Sequence, residues 1–147
     1  MKSLHLLLAL ALVSALAACA STYQQPTLAP DDAATLVVYR TRTTFHSANP
    51  ERPFFYLDGQ KIGQLGTGDS LTVSVPAGPH TITVKESMMF MPTFESGRVE
   101  LDAAAAQTYY LRYSMDFSGV ASTGTQMVPT GTAKFSLSTQ ERFESRD

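Results

Sequence analysis

Residues 70–75 (SLTVSV) place Leu71, Val73 and Val75 on one side of an extended chain and Ser70, Thr72 and Ser74 on the other. From Thr35 onward the apolar period is two rather than 3.6, which predicts half-buried strands and excludes a helical body. Residues 36–39 (LVVY) and 54–57 (FFYL) are continuous apolar runs suited to strands covered on both faces. Asp58-Gly59 then separates 54–57 from 60–65. This is a hairpin signal, because a tight primed turn needs positive φ at both central positions. Residues 76–79 (PAGP) break the chain, and 80–85 (HTITVK) resume it with Ile82 and Val84 inward. Val99 and Leu101 mark a further strand. Tyr109, Leu111 and Tyr113 mark the next, extended by Met115 and Phe117, and Ala133, Phe135 and Leu137 the last. Helix is expected only as a single turn at 103–106 (AAAA) and in the charged tail 139–146. The predicted fold is all-β, an antiparallel β-sandwich of about seven to nine strands.

The alternation begins only after an address. Residues 1–18 combine Lys2, an apolar run from Leu4 to Leu16 and small residues at Ala17 and Ala18, the layout of a secretory signal peptide. The run is shorter than the roughly 20 apolar residues that cross a bilayer. It ends at Cys19, the only cysteine of the chain, which therefore has no internal disulfide partner. Leu16-Ala17-Ala18-Cys19 resembles the bacterial lipobox. That resemblance implies diacylglycerol on the Cys19 thiol, cleavage between Ala18 and Cys19, and usually a third acyl chain on the new amino group. Two or three chains hold a protein on a membrane, since each buried CH₂ contributes about 0.8 kcal/mol. Ala20 is not the aspartate that retains such lipoproteins at the inner membrane, so the resemblance implies a lipid anchor in the periplasm-facing leaflet of the outer membrane, with surface exposure the other option. The expected organisation is 1–18 signal peptide, 19–33 lipidated flexible tether, 34–138 β-sandwich domain and 139–147 charged tail.

Composition narrows the function. The 147 residues carry 11 Lys+Arg against 13 Asp+Glu, a net charge of −2, with no basic run. A nucleic-acid partner is therefore not expected. The lipid, rather than charge, would hold this acidic chain on a membrane. His46 and His80 are the only histidines after the signal, too few and too scattered for a zinc site, so no metal and no cofactor beyond the covalent lipid is expected. His80 shares parity with Ile82 and Val84 and is read as a turn-pinning group bonded to a backbone carbonyl. Glu100 and Asp102 share a solvent-facing side, and 63–69 (GQLGTGD) reads as a loop between strands. No catalytic residues are expected.

The most unusual segment is 87–94 (SMMFMPTF). Met88, Met89, Phe90, Met91 and Phe94 form a candidate partner surface, because methionine-rich surfaces adapt to varied partners. The alternative is a flap folded over the open end of the sandwich, which the usual burial of apolar clusters favours.

Four phrases in order resemble a family of small bacterial envelope lipoproteins, domain of unknown function 2846: 37–40 (VVYR), 56–63 (YLDGQKIG), 76–80 (PAGPH) and 109–112 (YYLR). The strand-Asp-Gly-strand phrase followed by Pro-x-Gly-x-His is also similar to PEGA-type β-sandwich modules. The resemblance implies an all-β envelope domain with no catalytic machinery and names no ligand; the function class expected is binding or structural, through contact with another envelope component. A carrier of small hydrophobic ligands and an envelope hydrolase are the alternatives. The first would need a cavity between the sheets, the second an acid within reach of His80 or His46.

Overall fold

The computed structural model describes residues 23–42, 51–124 and 126–146. The expected signal peptide 1–18, with Ala18 at its end, Cys19 and His46 lie outside them. Eight strands follow in order among the described residues: β1 (Ala33–Arg40), β2 (Phe54–Leu57), β3 (Gln60–Gln64), β4 (Ser70–Pro76), β5 (Gly78–Met88), β6 (Met91–Ala103), β7 (Thr108–Thr123) and β8 (Gln126–Ser138). A short helix α1 (Gln140–Glu144) ends the chain. The strands form two four-stranded sheets, β4-β1-β7-β8 and β3-β2-β5-β6. The predicted all-β sandwich is thus the fold observed. The chain changes sheet after β1, β3, β4 and β6, so neither sheet can form without the other.

The two-residue period selects the core. Leu36 and Val38 from β1, Phe55 and Leu57 from β2, Val73 and Val75 from β4, Ile82 and Val84 from β5, and Leu111 and Tyr113 from β7 fill the space between the sheets. Each such side chain contributes about 1.5–3 kcal/mol on full burial. Phe55 lies edge-on to Tyr113 and Phe135, with ring centroids 5.9 and 5.8 Å apart. β1 is covered on its other face too. Phe143 of α1 packs on Tyr39 at 5.2 Å and on Tyr110 at 5.4 Å, and the Tyr39 hydroxyl pairs with that of Ser138 at 2.7 Å. The expected charged tail is therefore a lid on the outer face of the sheet.

The Asp58-Gly59 hairpin forms as predicted, with φ of 49° and 79°. Elsewhere the structure departs from expectation. β1 and β7 pair in parallel, because the whole second sheet and β4 intervene between them and return the chain to the same end. The four alanines do not make a helical turn. β6 continues through Ala103, and 104–107 is a tight turn stitched to β1, where the Ala106 amide donates to Ala33 O and the Thr35 amide to Gln107 O, both at 2.8 Å. Leu137 is half exposed, since β8 is the edge strand of its sheet among the described residues. Within the segment expected to be a flexible tether, Tyr23 is docked on the body. The Tyr23 amide donates to Lys61 O at 2.9 Å, its hydroxyl donates to Ser74 O at 2.8 Å, and its ring packs on the core.

The close approach of the two sheets rests on a glycine. At Gly97 of β6 an added Cβ would stand 2.5 Å from the Phe135 Cβ of β8 and 3.1 Å from Val84 Cγ1. Only a residue without a side chain lets these two strands meet at this distance.

Candidate functional site

The Met/Phe segment is not a flap. Pairing of β5 with β6 continues to Met88 opposite Met91. Met89 and Phe90 are then the two central residues of the turn, with φ of 51° and 62°. A short ladder with irregular pairing after Val84 projects them beyond the body. Met88, Met89, Phe90, Met91 and Phe94 are 61–78% exposed, so all five predicted residues present apolar surface to solvent on this one hairpin. Two bulky residues in the left-handed region are costly to the backbone, and such strain concentrates at functional positions.

The base of this hairpin is braced by groups the sequence reading did not single out. The Glu51 carboxylate accepts from the Ser87 hydroxyl and from the Met89 amide at 3.1 Å. Arg40 is 1% exposed, and its Nη1 donates to Glu51 O at 2.9 Å and Leu65 O at 3.1 Å. Its guanidinium also lies 5.9 Å from the centre of the Tyr113 ring. The Tyr113 hydroxyl donates to the Glu86 carboxylate at 2.8 Å. Burial pulls the Arg40 guanidinium below its ordinary value, opposed by Tyr113, Glu86 and Asp69. Burial and the Glu86 carboxylate push the Tyr113 phenol far up, so it stays a donor. The parity of Leu36, Val38 and Arg40 was the available signal that Arg40 faces inward.

The hairpin has company. Beyond the level where Tyr113 pairs with Arg40, β7 and β8 continue as a two-stranded ribbon that turns at Gly124. Phe117 and Val120 on it are exposed. A groove of about 230 Å³ separates Glu86, Phe94 and Ser96 from Met115, Gly131 and Ala133. Tyr23 docks at the other end of the sandwich, against Ser74, which pairs with Thr35 at the start of β1. From Thr35 to Arg40 the strand rises about 17 Å. The chain thus joins the body at one pole, and the apolar hairpin projects from the opposite pole.

His80 lies at the near pole. Its Nε2 meets Pro76 O at 2.9 Å, the backbone contact anticipated. Its Nδ1 meets the Asp58 carboxylate at 2.7 Å, an acidic partner 22 residues away that only the fold could supply. Asp58 also accepts from the Thr81 amide at 2.8 Å. Burial opposes the charge on His80, but the bonds to Asp58 and Pro76 and the charge of Asp58 outweigh it and raise the ring above its ordinary value. Both nitrogens face acceptors, so the protonated ring donates to both, and each nitrogen is already engaged within the fold. The groove beside it, about 310 Å³, is lined by Pro79, His80, Thr81, Glu100, Leu101 and Asp102. Glu100 and Asp102 face solvent, as expected. Gly63 and Gln64 belong to β3 rather than to the expected 63–69 loop; beyond them the Gly66 amide donates to Asp69 Oδ2 at 2.9 Å, closing a turn before β4. Among the described residues no three His, Cys, Asp or Glu side chains gather as a metal site.

None of the curated proteins matches the chain. The model of a protein family of unknown function, DUF2846, matches residues 30–126, a span that runs from the start of the body through the apolar hairpin and along β7 to the first residue of β8. By that match, over more than half of its length, the chain belongs to the DUF2846 family.

Proposed function

We propose that this is a lipid-anchored envelope protein whose β-sandwich is a non-catalytic binding module that contacts another envelope protein through the hairpin at Met89-Phe90. The observation that carries the reading is the position of that hairpin. It lies at the pole opposite Tyr23, and Cys19 stands four residues before Tyr23. Four residues span at most about 14 Å, so an acylated Cys19 would hold the near pole at the membrane and direct the apolar tip away from it. No helix among the described residues is long and apolar enough to cross a membrane; acylation through the lipobox-like 16–19 would supply the attachment, in the outer membrane. The exposed methionines suit a partner of varied shape. The Asp58-Gly59 turn and the Pro-x-Gly-x-His phrase keep the likeness to PEGA-type modules, consistent with a spacer or adhesion element.

Two measurements test this. Cys19→Ala is expected to remain uncleaved or to move to the soluble fraction, and unchanged membrane retention after an alkaline wash would overturn the anchor. A photo-crosslinking residue in place of Phe90 in cells is expected to give one discrete protein adduct. No adduct, with the probe shielded from solvent quenchers, would overturn the docking surface.

A further inference from the structure

On the outer face of the β4-β1-β7-β8 sheet, four arginines meet. Arg42 follows β1, Arg112 lies on β7, and Arg142 and Arg146 come from α1 and the residues after it. Together with Thr41 and Ser145 they line a cleft of about 460 Å³. The chain as a whole carries a net charge of −2, so this gathering is no reflection of a basic composition. Among the described residues no acidic side chain lines the cleft and none of the four arginines joins an ion pair. Asp69, next to Gly68, accepts from the Gly66 amide, and Glu144, next to Ser145, accepts from the Gln140 side chain.

Two of the four arginines have defined side-chain contacts. Arg146 stacks on Phe143 with its guanidinium carbon 3.8 Å from the ring centre and donates to Phe143 O at 2.6 Å. Its buried Nε has no hydrogen-bond partner among the described residues. Arg42 lies against Gly68, where an added Cβ would be 2.9 Å from Arg42 Nε. Like charges brought together without a counter-charge repel, and an anion between them removes that cost. Guanidinium forks match phosphate oxygens two at a time, which a lysine cannot do.

We propose that this cleft is a binding site for a compact ligand bearing two phosphate groups, held by the four guanidinium groups, with the exposed Ser145 hydroxyl at its rim. The cleft is wider than one phosphate needs and falls in the ordinary range for small-ligand sites, about 300–1,000 Å³. The ligand is either a soluble phosphorylated molecule or a phosphorylated lipid headgroup. The site stands whether or not Cys19 is acylated.

Calorimetric titration of the detergent-solubilised full chain with inorganic pyrophosphate, at about 150 mM salt, is expected to saturate. Arg42→Gln with Arg142→Gln is expected to weaken the affinity at least roughly tenfold, with an unchanged melting temperature as the check on folding. Should that pair unfold the chain, Arg142→Glu alone, on the exposed face of α1, is expected to weaken binding to a similar degree. Mixed micelles containing phosphatidic acid distinguish the sources. Competition with pyrophosphate in the wild type assigns a lipid headgroup, and its absence assigns a soluble ligand. Failure of both probes to saturate up to roughly 10 mM, or equal binding by the wild type and a folded variant, overturns the site.

Discussion

Replacing Met89-Phe90 by Asn-Gly separates the cost of the hairpin tip from its use. Both residues have positive φ, 51° and 62°, and the left-handed region costs an ordinary L-residue about 1–2 kcal/mol. Asn tolerates that region better and Gly adopts it freely, which is why Asn-Gly is the preferred pair in such turns. The gross relief is therefore about 2–4 kcal/mol for the two positions. Part of it is offset, because a new glycine raises the entropy of the unfolded chain by about 0.4–1 kcal/mol and Asn relieves only some of the strain. Little packing is lost, since Met89 is 78% and Phe90 74% exposed. The net expectation is a stabilisation of about 1–2 kcal/mol, or a rise in melting temperature of roughly 5–10 °C, read by circular dichroism. With a photo-crosslinking residue at position 94, the same variant is expected to lose its adduct. An unchanged or lower melting temperature would refute the strain argument, and an undiminished adduct would refute the assignment of the contact to the tip.

Gly97→Ala is expected to force the β6 and β8 strands apart, because its Cβ would sit 2.5 Å from the Phe135 Cβ, an atom fixed to the backbone. The cost is about 1–3 kcal/mol, and a melting temperature equal to wild type would contradict it. Removing the opposing Cβ with Phe135→Gly is expected to abolish most of that cost in a double-mutant cycle. For His80, the folded state raises the pKa above the ordinary 6.5. The stability it contributes is then fully present below about pH 6.5 and is lost as pH rises through the folded value. Urea titrations across about pH 5.5 to 9 should therefore show the advantage of wild type over His80→Asn shrinking as pH increases; an advantage that grows with pH would contradict the paired geometry.

Local chemistry made most of the fold legible in the sequence. The alternation of Leu71, Val73 and Val75 marks one buried face, and Ile82 and Val84 mark another, because a strand has only two sides. Asp58-Gly59 names its own turn through the φ values it permits. The five apolar residues at 88–94 could be picked out as unusual, yet their exposure could not, since an apolar segment may cover a core or leave it depending on how far a ladder extends. What only the tertiary structure decided involves partners distant in sequence. Arg40 is buried because Glu51 and Leu65 carbonyls converge on it, and His80 acquires Asp58 because β2 and β5 pair. The parallel pairing of β1 with β7 follows from the path through the second sheet. The arginine cleft exists because α1 folds back across β1 and β7 to bring Arg142 and Arg146 beside Arg42 and Arg112. Period and turn chemistry act over a few residues and can be read along the chain, whereas these charges meet only after the sheets have formed.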